Sequence, residues 1–526
     1  MKRKQTSELR TNPVALTVGR TPAKSDLWDV TKLQPFFPPI ECLFKTNSLE
    51  RVQDYGIKLN DGLVSVTDGV ATLTSGRSLA VHPKITMLLS PFKCMKGEFG
   101  TFGLPMLSEH ARETQSKLQS HNTAAYVGSI LSVALSQSGC QHFPEVVGVY
   151  TGTATTHSIN ISDDYEELSE RPWFSQNIGK TFELRLDEHS GTPIEYTRSA
   201  RVSIQLGEQA ELDDIQELIC VQAEGEAAEM TPVFRDEGAD DETESTSDVS
   251  TSYIFQIESV SSSFDGSVDE EESEDEAFAW ATFKNVPVQM TVMEKLEGTF
   301  YELLKGSDSE KQFAWMAQII FALAYAQRNF AFTHNDLHGN NIMFKKTDKE
   351  FLYYFHAGVT YKVPTYGYLL KIIDFDRGIG SIKLPGMKEA KLFMSDQFAL
   401  NEEAGGQYNC QPFFTEKHKT IKPNPSFDLV RLATSLFWDI FPNGPKYEDY
   451  QDQPLFKLFI KWLTLEDDTS ILFFKKNPKI DRYIGFSLYK AIARYSKEAI
   501  PRKEISELKC FIGDIVAGES CLVIDV

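Results

Sequence analysis

The chain has 526 residues, 41% of them hydrophobic and 24% charged, with a formal net charge of −22. That composition excludes a collagen-like, wholly disordered or small disulfide-stapled protein, and the length allows about two to four domains or one bilobal unit with insertions. The charge is local: residues 207–276 hold 24 Asp or Glu against the single basic Arg235, and the remaining residues hold 51 acidic against 52 basic. The globular part therefore has no charge support for general nucleic-acid binding.

The chain starts MKRKQTSELR, basic but with no apolar run behind it, so a secretory signal is not expected. Residues 1–50 are polar with scattered prolines and predict a loose arm. Strand texture follows at 62–67, at 70–74 after a turn at Asp68-Gly69, and at 85–89. Helices are predicted over 108–119 and 123–137, the second with a mostly apolar pattern. A strand entry at His142–Tyr150 comes next. The acidic tract 207–276, with DDETESTSD and DEEESEDE, cannot bury enough apolar surface to offset chain entropy, so disorder is expected there. Its deletion should leave folding intact, and serines beside its acids, such as Ser273, are candidate phosphosites.

Val286–Met293 resumes as a strand, and after Gly306 the chain reads mainly helical, with a strand-rich interruption from Ile342 to Phe375. The apolar stretch Phe313–Ala326 is interrupted by Gln318 and is too short for a membrane span, so a soluble protein is expected. Seven scattered cysteines form no C-x-x-C pair, which gives neither a zinc site nor a disulfide framework and points to a reducing compartment.

One stretch carries chemistry: THNDLHGNNIMF at 333–344, followed by LLKIIDFDR at 369–377. Asp336 stands five residues before Asn341, and Asp374 ends a very apolar strand. Phosphoryl transfer to a hydroxyl needs such groups. One carboxylate accepts or orients the hydroxyl proton, while an Asn and a second carboxylate hold Mg²⁺ against the triphosphate.

These motifs, His334-Asn335-Asp336-Leu337 with Asn341 and then Asp374-Phe375-Asp376, resemble the catalytic loop and metal motif of protein kinases. The resemblance implies an α+β, bilobal protein-kinase-like fold. Its strand-rich small lobe would take 51–206 and 277–298, its acidic insertion 207–276, and its mainly helical large lobe 299–526. Asp336 would be the catalytic base or orienting group, Asn341 and Asp374 the metal ligands, and ATP and Mg²⁺ the cofactors. By the same resemblance Met293 is the gatekeeper, backbone groups of Glu294 and Leu296 meet adenine, and Glu297 reaches the ribose. For the lysine that pairs the phosphates Lys93 is favoured over Lys84, with Glu113, rivalled by Glu109, as its acidic partner. Asp428, in PSFDLVRLATSL, resembles the buried Asp that anchors the catalytic loop, and a plain helix cap is the competing reading.

The sequence also departs from the kinase pattern. No G-x-G-x-x-G precedes the early strands, and Gly97-x-x-Gly100-x-x-Gly103 reads as a turn. Asn335 stands where Arg usually precedes the catalytic Asp, Asp376 replaces the glycine of D-F-G, and no A-P-E appears before Asp428. His338 gives the loop a look shared with aminoglycoside and choline kinases, although a hydrogen-bonded loop histidine is the simpler reading. Val363-Pro364-Thr365-Tyr366-Gly367, the run Asn424–Leu429 and the run Asn122–Gly128 resemble the divergent serine/threonine kinases of large cytoplasmic DNA viruses, iridoviruses above all. That family implies a protein Ser/Thr acceptor, no direct nucleic-acid partner, and a place in the host cytoplasm or the virion. A small-molecule phosphotransferase and a pseudokinase acting as a virion scaffold are the alternatives.

Overall fold

Short alternating runs in the front of the chain form strands: β1 (Val18–Arg20), β2 (Val30–Pro35), β3 (Tyr55–Ile57), β4 (Leu63–Thr67), β5 (Val70–Leu73) and β6 (Ser78–Met87). The β4–β5 connection is a two-residue turn with Asp68 and Gly69 both at positive φ, the geometry that matches strand twist. After helices α1 (Pro91–Lys96) and α2 (Ala124–Ser136) come β7 (Val146–Asn160), α3 (Ser162–Ser169), α4 (Pro172–Asn177), β8 (Glu183–Asp187) and β9 (Phe278–Glu294). The computed structural model describes residues 16–20, 26–36, 54–99, 118, 120–187, 278–384, 389–475, 478, 481–483 and 485–524, all within one compact unit. The acidic tract, Glu109 and Glu113 lie outside the described residues.

Seven strands make one antiparallel sheet in the order β2-β7-β9-β6-β5-β4, with β8 paired to the first part of β9. The strand β9 is central. It pairs with β7 along most of its length and with β6 from Val288 to Glu294, and residues 286–294 are buried on both faces. That explains its near-continuous apolar run. Of its polar members, Gln289 accepts from Thr151 at 2.9 Å through Oε1 while its buried Nε2 has no partner among the described residues, and Thr291 meets Ser129 of α2 at 2.8 Å. The edge strand β2 falls inside the stretch expected to be a loose arm. Its Val30 and Phe36 just beyond it bury completely or nearly so, which is enough to tie 30–35 down.

From residue 298 the chain continues through β10 (Gly298–Thr299), α5 (Phe300–Leu304) and α6 (Ser309–Phe330). Asp308 caps α6 by accepting the Lys311 N–H at 2.9 Å, and the helix is buried nearly all round from Phe313 onward. It is thus a core helix, and among the described residues no helix is long and apolar enough to cross a membrane. Strands β11 (Ile342–Lys346), β12 (Phe351–His356), β13 (Val359–Pro364), β14 (Tyr368–Ile372), β15 (Ile379–Ile382) and β16 (Lys391–Met394) follow. Helices α7 (Phe427–Ile440), α8 (Pro454–Leu463), α9 (Phe486–Tyr495) and α10 (Pro501–Glu504) complete the helical part, and β17 (Cys521–Val523) returns to pair with β12. The molecule is a mixed α+β structure with an antiparallel sheet in front and helices behind.

Candidate active site

Strand register brings the two halves of the motif together. In the antiparallel β11–β14 pair Ile342 faces Ile372, so Asn341, just before β11, and Asp374, just after β14, emerge at the same end. The Ile373 N–H donating to the Asn341 carbonyl at 3.0 Å closes that end. Asp374 has φ of +63°, a left-handed conformation that Asp tolerates better than most residues.

The loop between α6 and β11 is held from below. Asp428, in the first turn of α7 and fully buried, accepts the N–H of His334 and of Asn335. The His334 ring bonds the Ile373 carbonyl at 2.7 Å and packs edge-on against Phe375, which ties the loop to the metal motif. Asn335, also at positive φ, donates to the Arg377 carbonyl at 2.9 Å and accepts from the Tyr408 hydroxyl at 2.8 Å. With its neighbours fixed, Asp336 turns into a pocket it shares with Lys84, His338, Asn341, Asp374 and Asp376.

The Asp336 carboxylate accepts from the Tyr489 hydroxyl of α9 at 2.6 Å and lies 3.9 Å from the Arg377 guanidinium. Burial alone would raise its pKa. The charges of Arg377 and Arg431, with the Tyr489 hydrogen bond, outweigh that and hold it well below the ordinary carboxylate range. Burial pushes His338 the other way, down to about 4, so the imidazole is neutral, and its Nε2 accepts from the Asn341 amide.

Lys84 stands opposite. The side chains of His82, Lys84 and Thr86 share one face of β6, and the Lys84 ammonium lies 2.7 Å from Asp374 and 3.0 Å from Asp376. Its burial favours the neutral amine, but the two carboxylates overcome this and keep it protonated. Lys93 does not reach this place: it sits on α1 and pairs with Glu402. The Arg377 guanidinium faces Asp336.

The residues assigned to the adenine side lie at the end of β9 and just beyond it, and none of them lines this pocket. Met293 is buried and pairs across the sheet with His82. The Glu294 side chain is engaged with Lys371 at 2.7 Å and Lys345 at 2.8 Å, and its N–H donates to the Glu145 carbonyl. Leu296 is buried, and the Glu297 carboxylate accepts the Lys346 N–H at 2.9 Å. Gly97 caps α1 in the left-handed conformation, as a turn glycine should.

The donor set suits a hard divalent cation. Asn341 uses its Nδ2 on the Asp336 carbonyl and His338, which leaves its amide oxygen as the ligand atom it can offer to the pocket it lines with Asp374. Among the described residues no three His, Cys, Asp or Glu side chains form a self-sufficient metal cage. Two oxygen donors match magnesium, which completes its shell with phosphate oxygens and water.

Sequence reasoning missed Tyr489, whose helix carries no local motif, and Arg431, which lies three residues beyond Asp428 in the motif already singled out; both act on Asp336. Lys84 had a signal, the polar alternation of 82, 84 and 86, hidden by Pro83 at the point where the strand seemed to begin.

No family model matches the chain. A stretch of 58 residues, 11% of the chain, is 41% identical to the serine/threonine-protein kinase haspin of Mus musculus and spans 8% of that protein's length. The similarity is partial and covers a small share of either chain.

Proposed function

We propose that the chain is a serine/threonine protein kinase that moves the γ-phosphoryl group of Mg-ATP to a protein hydroxyl. The observation that carries this reading is the convergence of Lys84, Asp336, Asn341 and Asp374 on one pocket. In this reading the seven-stranded sheet with α2 is the small lobe of a kinase-like fold, and the elements from residue 299 onward are the large lobe. The short similarity to haspin supports the reaction class. Kinship with kinases of large cytoplasmic DNA viruses, and a place in the host cytoplasm or virion, rest on the sequence motifs alone.

The Lys84 ammonium would meet triphosphate oxygens across the mouth of the site. Asp374 and the Asn341 amide oxygen would hold magnesium, whose charge offsets that of the phosphates. Asp336 would accept a hydrogen bond from the acceptor hydroxyl and orient it in line. Because its pKa is depressed, it is a weak base, and its part is chiefly orientation. The hydroxyl proton would pass late, to the Asp336 carboxylate and from it to solvent, as the new O–P bond forms and the bond from the γ-phosphorus to the β–γ bridging oxygen breaks with ADP leaving. Met293, the backbone of Glu294 and Leu296, and Glu297 would face the nucleoside.

The test offers γ-labelled ATP and Mg²⁺ to the purified full chain with a basic protein, casein, the chain itself, an aminoglycoside and choline as acceptors. Label on serine or threonine, absent with Asp336→Ala protein, is expected. Label confined to small alcohols such as an aminoglycoside or choline, or none above the variant, would overturn the reading.

A further inference from the structure

Kinases need an acidic partner for the lysine that meets the phosphates, usually a glutamate on the helix beside the sheet. Here the helix tied to β9 near Lys84 is α2, through Ser129 and Thr291, and its sequence AAYVGSILSVALS contains no acid. Lys84 is nonetheless held by two carboxylates, Asp374 at 2.7 Å and Asp376 at 3.0 Å. If Asp374 takes the metal, Asp376 is the one carboxylate among the described residues left to hold the ammonium. Asp376 is fixed for this: its Oδ2 also accepts from the Thr86 hydroxyl at 3.5 Å, one alternation along the same strand face.

Gly128 lies in the interior of α2, where glycine costs about 1 kcal/mol relative to alanine. A Cβ there would stand 2.0 Å from Asp376 Oδ1 and 3.3 Å from its Cα. Asp376 therefore occupies the volume that a side chain from the helix would fill.

Resting on the kinase reading above, we infer that Asp376 is the positioning residue that holds Lys84 toward the triphosphate, replacing the helix acid, and that Gly128 is the gap that admits it. The third position of the metal motif thus does two jobs at once: it shapes the loop and supplies the ion pair.

The experiment measures Mg-ATP dissociation constants by calorimetry and steady-state kinetics for the full chain, for Asp376→Asn, and for the transplant Asp376→Gly with Gly128→Glu. Asp376→Asn should lower kcat/KM for ATP about tenfold to a hundredfold and weaken Mg-ATP binding, with the acceptor KM and the ligand-free melting temperature unchanged. The transplant should recover most of the binding and rate, because it returns a carboxylate to the same volume from the helix. Wild-type binding and kcat/KM in Asp376→Asn would overturn the inference and leave the kinase reading standing. So would a folded transplant no better than Asp376→Asn. A wild-type chain that neither binds nor turns over Mg-ATP would remove the kinase reading itself.

Discussion

The buried carboxylate of Asp428 accepts the backbone N–H of His334 at both oxygens, at 3.0 and 2.9 Å, across 94 residues of sequence. Through this contact α7 sets the height of the loop that carries Asp336. Asp428→Ala leaves the buried N–H groups of His334 and Asn335 without an acceptor, at a cost of about 2–5 kcal/mol. Urea unfolding should report a loss of that order, together with loss of phosphoryl transfer. Unchanged stability would mean that the loop is held by something else.

The two candidate lysines separate cleanly. Lys84→Met removes the cation between Asp374 and Asp376 and should lower kcat/KM for ATP by about 10² or more. Lys93→Met breaks only the pair with Glu402 and should stay within a few-fold of wild type. Kinetics of the two variants side by side decide between them, and the reverse order would return the role to Lys93.

Much of the fold was legible because its signals are local. The apolar pattern at 123–137 and the run at 286–293 became α2 and the buried half of β9, and the spacing of Asp336, Asn341 and Asp374 put three groups in one pocket. What stayed hidden depends on long-range register. Lys84 meets Asp374 from 290 residues away, and the local alternation of 82, 84 and 86 does not say which residue it meets. Glu113, expected as the acid from its predicted helix, lies outside the described residues, and α2, the described helix tied to β9 through Ser129 and Thr291, carries no acid. Asn335 read as a lost arginine, whereas it is a buried crosslink between Tyr408 and the Arg377 carbonyl.

His142 links pH to stability. It is almost fully buried, its Nδ1 donating to the Leu370 carbonyl at 2.7 Å and its Nε2 accepting from the Tyr354 hydroxyl at 2.8 Å, so the folded protein holds it neutral. Burial, helped by the Lys371 charge, lowers its pKa to about 4. The unfolded chain, near 6.5, binds a proton that the folded chain refuses, so this contribution is full above about 6.5 and is lost as pH falls toward 4. In full it is on the order of 3 kcal/mol. Melting temperatures measured between pH 7 and 4.5 should fall less steeply for His142→Phe than for wild type, although the variant starts lower. Parallel curves would contradict the assignment.

Asn335 also bears on regulation. The position before Asp336 carries no cation on which a phosphorylated loop could dock, and its hydrogen bonds already fix the segment that follows Asp376. Phosphatase-treated protein should therefore keep most of its activity. Silencing by phosphatase and rescue by re-phosphorylation would show a switch that this account lacks.

The most direct measurement compares wild type with Asp336→Asn at Mg-ATP concentrations that saturate both, counting acid-stable phosphate on a serine or threonine acceptor. The substitution keeps size and hydrogen bonding but removes the charge that orients the acceptor hydroxyl. The account predicts equal nucleotide occupancy and a rate lower by about 10² to 10⁴. Equal rates at equal occupancy would contradict it.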